Sequence, residues 1–271
     1  MATNADSSTS ILRNDPNLSR SIAPGWHTLV LVAVIVGFSI HGALQFSAVH
    51  SPIHRLATYG LTAAMELGML AWIILGLRLR KTPLRSLLGC FEFSFRSIVV
   101  DVGIAIVFWV ASLILLGTLA VAWTGAAAIF AHQPKPATSA QTLAPSASQK
   151  QQLKTMMELA PANGAEIVAW VGLCMLAGFS EEVAFRGYLQ RQFIAGARGG
   201  IAIGILLSAM CFGAAHGYEG ARGMFLITAF GVLFSVLAHF RRSLRAGMIA
   251  HAWQDILAGI ALAFLRSHKF L

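Results

Sequence analysis

From Trp26 onward the chain alternates long apolar runs with short polar breaks. The runs cover about 26–49, 56–77 and 98–130, and four more start near Gly164, Gly200, Gly223 and Ala246. A helix needs about 20 predominantly apolar residues to cross the hydrocarbon core of a bilayer. The runs therefore predict an all-α, polytopic transmembrane bundle of about seven helices, within a range of about six to eight. The third run is long enough to tilt or to include interfacial turns. Residues 1–24 are polar and rich in Ser and Asn. They lack the order of a cleavable signal peptide and are expected to form a disordered tail. Residues 132–152 are rich in Pro, Ser, Ala and Gln, carry no apolar period and predict an exposed loop. The organisation that follows is a tail (1–24), N-terminal transmembrane helices (25–130), a polar linker loop (131–163), a helical core (164–265) and a C-terminal tail (266–271).

Composition supports this class. Hydrophobic residues make up 56% of the chain and charged ones 11%, where soluble domains carry about 25% charged residues. The mean hydropathy is +0.69. The net charge of +9 would suit a nucleic-acid binder, but the basic residues cluster at the ends of apolar runs. That placement fits membrane topology, so the expected surroundings are a lipid bilayer, with no nucleic-acid partner. With seven passes and the N-terminus inside, thirteen Lys and Arg fall on inner segments and seven on outer ones, which favours that orientation. Cys90, Cys174 and Cys211 are odd in number and scattered. They form no disulfide framework and read as small buried apolar residues.

An ionisable group inside the bilayer is costly and needs a partner or a purpose. Glu66, Glu181, Glu182, His216, His251 and Asp255 are the candidates. Glu182 and Arg186 are four apart and share a helix face, so they can neutralise one another. Glu181 is rotated by about 100° from Glu182 and is expected to point elsewhere, as a free carboxylate suited to general-base work. His251 and Asp255 are again four apart and co-facial, and Asp255 could fix the His251 tautomer. Glu66 stands near the middle of the second run without a motif and is left unassigned. Glu92 and Asp101 lie close enough to the interface to need no special role.

Phe212 and His216 share a face of the next helix. The turn at 195–200 would join two antiparallel helices. With its centre near Arg198, Glu181 lies 17 residues before it and His216 18 after, at a common depth of about 25 Å from the tip. His251 lies about 9 Å beyond the basic loop at 241–245 on the helical rise. Both estimates place the polar groups at one level, near the inner face.

Three groups in this order, Glu181-Glu182-x-x-x-Arg186, Phe212-x-x-x-His216 and His251-x-x-x-Asp255, resemble the CPBP family of intramembrane proteases, also called the CAAX-protease and bacteriocin-processing (Abi) family. The family's motifs are Glu-Glu-x-x-x-Arg, Phe-x-x-x-His and His-x-x-x-Asn. The resemblance covers roughly 164–265, and the N-terminal passes add no signature. One position departs: Asp255 stands where the family usually has Asn. An amide donates a hydrogen bond and an ionised Asp does not, so only a protonated Asp255 could serve as an oxyanion donor.

The resemblance implies an endopeptidase that hydrolyses a peptide bond with activated water. Glu181, with His216, would position and deprotonate the water. His251 and Asp255 would face the oxyanion, while Glu182, Arg186 and Phe212 support the site. Family members are often described as metalloproteases. Two His and a Glu could hold zinc with an open position, which makes His216 and His251 the candidate ligands. The compact His-Glu-x-x-His motif is absent and the same groups can work metal-free, the reading preferred here. The implied substrate is a membrane-associated peptide or protein, cut near the inner face. The polar N-terminus and overall style suggest a bacterial inner-membrane protein, and bacterial relatives are linked to bacteriocin maturation or self-immunity. The alternatives are an inactive membrane scaffold or self-immunity protein, with Asp255 as its best argument, and a small proton-coupled transporter using Glu66, Glu181 and Glu182. Transporters often carry repeated halves, and no repeat is visible.

Overall fold

The computed structural model describes residues 20–46, 54–89, 93–130 and 147–268. Residues 1–19 of the expected tail, Cys90, Glu92, Lys269 and residues 131–146 of the linker lie outside these. Among the described residues the chain is helical and no strand forms. Inside lipid every backbone N–H and C=O must be satisfied within the protein, which a helix does segment by segment.

The elements run α1 (Gly25–Phe46), α2 (Arg55–Leu79), the short α3 (Arg85–Leu88), α4 (Phe95–Phe130), α5 (Ala147–Leu159) and α6 (Gly164–Glu181). A π-helical segment (Glu182–Leu189) leads into α7 (Gln190–Gly196). Then follow α8 (Ile201–Ala215), a 3-10 turn (Gly217–Glu219), α9 (Gly220–Arg241) and α10 (Arg245–Ser267). Six of these stretches are long and apolar enough to cross a membrane, α6 through α7 counting as one, and α8 is a shorter apolar helix. Leu29, Val107, Ile114 and Val168 stand largely exposed. Such a surface would be a liability in water and is ordinary in lipid. The protein is an integral multi-pass membrane protein.

The π segment is the centre of the bundle. All eight of its residues are buried, and Val183, Phe185, Tyr188 and Leu189 share one apolar core with Leu31, Ile73, Leu77, Leu87, Phe212 and Leu244. The Gln190 N–H donates to Phe185 O, five residues back, and the Ser208 hydroxyl of α8 donates to the same carbonyl at 2.5 Å. A second helix thus helps satisfy the displaced ladder. A buried polar network fastens the start of α1 to this segment. His27 Nδ1 lies 2.8 Å from Tyr188 Oη, and the Gln192 amide donates to Thr28 Oγ1 and Ala23 O at 2.7 and 3.0 Å. Its Oε1 accepts from Ile22 N–H at 2.9 Å.

Several boundaries differ from the sequence-based expectation. Ile22 and Ala23, assigned to the tail by composition, are buried because Gln192 satisfies their backbone. Within the expected linker loop, residues from Ala147 form α5; past Pro145 the segment is rich in Ala, Gln, Lys, Leu and Met, all strong helix formers. The C-terminal carbonyls of α5 are held by side chains, as a helix end requires. Arg55 donates to Glu158 O at 2.6 Å and Tyr59 to Leu159 O at 2.5 Å. Arg266 donates to Met157, Ala160 and Pro161 carbonyls at 2.5–2.8 Å and so belongs to the end of α10 rather than to a tail. Asn163 caps α6 by accepting from Glu166 N–H at 3.0 Å, and the Glu166 carboxylate reaches back to accept from Ala162 N–H, one residue before the cap, at 2.7 Å. Cys174 is buried, Cys211 is partly buried, and both are free thiols.

Asp101 has a structural role that the sequence did not reveal. It is buried in α4 and accepts from Arg241 at 2.8 Å and from Arg245 Nε at 2.5 Å. Arg245 also donates to Ser97. One carboxylate therefore ties α4 to the end of α9 and the start of α10. Asp101→Ala would leave Arg245 without its anion, and removing one partner of a buried pair costs about 3 kcal/mol. Thermal denaturation in detergent is expected to show that loss, whereas Arg241→Ala, at the more exposed partner, should cost less.

Candidate active site

Two glycines let α6 and α10 approach closely enough to form the site. A Cβ on Gly178 would lie 2.8 Å from the Ala252 nitrogen and 3.0 Å from Met248 O, so only glycine allows this backbone contact. A Cβ on Gly247 would lie 2.9 Å from Glu182 Oε2. The space above Gly247 is occupied by the Glu182 carboxylate.

The glutamates meet at His251. Its Nδ1 lies 3.1 Å from Glu182 Oε1. Its Nε2 lies 3.6 Å from Glu181 Oε2 and 3.7 Å from Asp255 Oδ2. The expected divergence of Glu181 and Glu182 is present on the helix, yet both reach the same ring, because an imidazole presents nitrogens in two directions. Tautomer control belongs to Glu182 and not to Asp255. A carboxylate accepts from Nδ1–H, which leaves Nε2 facing the other two acids. Glu182 also forms a fully buried ion pair with Arg186 at 3.1 Å. The guanidinium stands over the Phe212 and Phe234 rings, 4.2 and 4.9 Å from their centroids, where the ring faces attract a cation.

His216 closes α8 as its C-cap. Its Nδ1 lies 2.9 Å from Phe212 O. A carbonyl only accepts, so Nδ1 carries the proton in this bond and the neutral ring leaves Nε2 as an acceptor. The Phe212 ring stands 5.0 Å from His216 and 5.8 Å from His251, between the two. Among the described residues His216 makes no hydrogen bond to Glu181 or His251. Glu181 Oε2 is enclosed and, beyond its 3.6 Å approach to His251 Nε2, has no hydrogen-bond partner among the described residues. Among the same residues no three His, Cys, Asp or Glu side chains converge to hold a metal ion. His216 and His251 therefore gain no support as ligands from this arrangement.

Sequence reasoning missed Ser180, Gly178 and Gly247. The glycines carry no chemistry, and only the packing explains them. It also left Glu66 without a partner, which the structure supplies in Ser180 at 2.5 Å.

Residues 163–257 match a family model described as Rce1-like, type II CAAX prenyl endopeptidase Rce1-like. This segment is Rce1-like. The family this segment resembles is one of CAAX-type prenyl endopeptidases, which are hydrolases. The Rce1-like segment contains all of Glu181, Glu182, Arg186, Phe212, His216, His251 and Asp255, while Glu66 lies outside it. No curated protein and no solved structure matches the chain.

In this Rce1-like site, Gly247→Ala tests whether Glu182 must hold His251. The new Cβ would meet the end of a flexible side chain, so the fold should survive, with the thermal midpoint lowered only as far as the shifted carboxylate loosens its pair with Arg186. Displacing the Glu182 carboxylate from Nδ1 should reduce peptide cleavage by about tenfold or more, as a misplacement near 1 Å can. Unchanged cleavage would mean that His251 does not depend on Glu182 for its orientation.

Proposed function

We propose that the protein cuts a peptide bond of a membrane-associated peptide or protein, near the inner face of a bacterial inner membrane, using water activated by Glu181 and His216. The observation that carries this reading is the convergence of Glu181 and Asp255 on Nε2 of a histidine whose Nδ1 is held by Glu182. Glu181 is the general base. Its enclosed Oε2 takes a proton from water, and Nε2 of His216 accepts a hydrogen bond that fixes the same water. The hydroxide adds to the scissile carbonyl carbon. The proton on Glu181 then passes to the amide nitrogen as the C–N bond breaks, giving a carboxylic acid and an amine, between which the remaining proton moves to leave a carboxylate and an ammonium.

The oxyanion needs a donor fixed in advance. His251 supplies it when protonated on both nitrogens, with Nδ1–H bound to Glu182 and Nε2–H directed at the oxyanion. On this reading Asp255 need not donate a hydrogen bond itself. At 3.7 Å from Nε2 it stabilises the imidazolium by charge, which accounts for an acid in place of the family's Asn. Arg186 balances Glu182, so this carboxylate holds His251 without leaving a net charge in the core.

The family's name suggests a C-terminal prenylated peptide as the first substrate to try. The full-length protein in detergent should be incubated with a CAAX-type prenylated peptide and a quenched peptide library. Glu181→Ala and His216→Ala should each lower cleavage by about 100-fold or more, the scale of a lost general base or its helper, and a chelator should change little. Variants that cleave like wild type while folded would sink this assignment. Loss of activity with chelator alone would instead favour water bound to a metal.

A further inference from the structure

We propose that Glu66, on a helix outside the Rce1-like segment, is a positioning residue that acts on Glu181 through Ser180. This rests on Glu181 being the base. Glu66 sits in α2, eleven residues from its start and thirteen from its end, about 16 Å from the nearer helix end. A carboxyl at that depth in a span is costly and is retained for a partner or a function. Its partner is the Ser180 hydroxyl, 2.5 Å from Glu66 Oε2.

Ser180 does not need that partner. Its Oγ also lies 2.8 Å from Leu176 O, one turn back, and a helical serine satisfies itself in this way. A plain structural serine would leave Glu66 unnecessary. What distinguishes the pair is its place. Ser180 is fully buried and directly precedes Glu181, at the turn where α6 gives way to the π segment. Through Ser180 the pair adjoins Glu181, the proposed base, whose Oε2 lies 3.6 Å from Nε2 of His251, the proposed oxyanion donor. The bond thus crosses from α2 to the helix turn that aims the base. Glu66 fixes the backbone direction of residues 180 and 181 against α2 and keeps the Glu181 carboxylate toward His251.

The full chain would be compared as wild type, Glu66→Gln, Glu66→Ala, Ser180→Ala and the Glu66→Ala/Ser180→Ala double variant, with Glu181→Ala as the control. Readouts are kcat, KM and the thermal midpoint. Gln keeps a hydrogen bond to Ser180 without the acid and should retain kcat within about threefold. Each Ala variant should lower kcat by about tenfold with KM nearly unchanged, the pattern of a misaimed group. The double variant should be no worse than Glu66→Ala alone, since the two residues act as one unit. Wild-type kcat in Glu66→Ala would overturn the proposal, as would additive losses. A Gln variant as poor as Ala would overturn it too, by assigning Glu66 a direct role as an acid. Non-additive thermal midpoints with kcat unchanged would reduce the pair to a staple between helices. An inactive wild type would defeat the protease reading and this role together, whereas normal loss in Glu181→Ala with any of the preceding failures defeats this role alone.

Discussion

A guanidinium buried in a helical bundle must be neutralised, and the arrangement of this site follows from how Arg186 is accommodated. Burying one charge from water costs several kcal/mol even after relaxation, and Arg186 is buried among Phe185, Phe212 and Phe234. Its ion partner is Glu182, four residues earlier on the same helix. Once Glu182 is committed to that position, its carboxylate needs room, which Gly247 supplies by having no side chain. The same carboxylate then meets His251 one turn further along α10. The ion pair, the close crossing of α6 and α10 and the orientation of the histidine are one constraint seen from three residues.

That constraint also separates the two adjacent acids by role. Glu182 has Arg186 and His251 as partners and is fully buried, while Glu181 keeps one enclosed oxygen without a bonded partner among the described residues. A pair of equivalent glutamates would repel. Giving one of them a cation leaves the other as the group that the proposed reaction takes as its base. The π-helical segment contributes by burying all residues from Glu182 to Leu189 and by exchanging part of the helix's own ladder for a bond from Ser208. Wider turns of this kind are frequent where a helix carries function.

The legible part of this in the sequence is the part written in spacing. Apolar runs of spanning length predict the helices, and the four-residue intervals between Glu182 and Arg186, Phe212 and His216, and His251 and Asp255 place each pair on one face. What was not legible depends on contacts between helices distant in sequence. Nothing near Asp101 signals that Arg241 and Arg245 will share it, and its apparent closeness to the interface concealed a buried anchor. Gly178 and Gly247 look like ordinary small residues of membrane helices until the neighbouring helix is in place. The helix at Ala147–Leu159 was missed because the Pro- and Ser-rich stretch before it dominated the composition of the whole linker. Asp255 read as the natural partner of His251 by spacing, but Glu182, 69 residues away, takes the Nδ1 bond.

The matched segment ends well short of explaining the whole site. Glu66 comes from α2, and α2 packs along α6 and the π segment at the level where the acids turn inward. The first helix is fastened to the same segment by His27, Thr28 and Gln192. The N-terminal helices therefore form the wall against which the helix carrying Glu181 and Glu182 is set. A helix that carries a base can rotate or slide only as far as its fixed neighbours permit. In a bilayer, where lipid on the outer faces offers no directional contacts, polar bonds between helices are what remain to set such a rotation. Ser180 with Glu66 and Tyr188 with His27 are two bonds of this kind on one rod, eight residues apart, on either side of the Glu182–Arg186 pair. Together they fix the direction of the carboxylates more firmly than apolar packing alone, because a hydrogen bond constrains angle as well as distance.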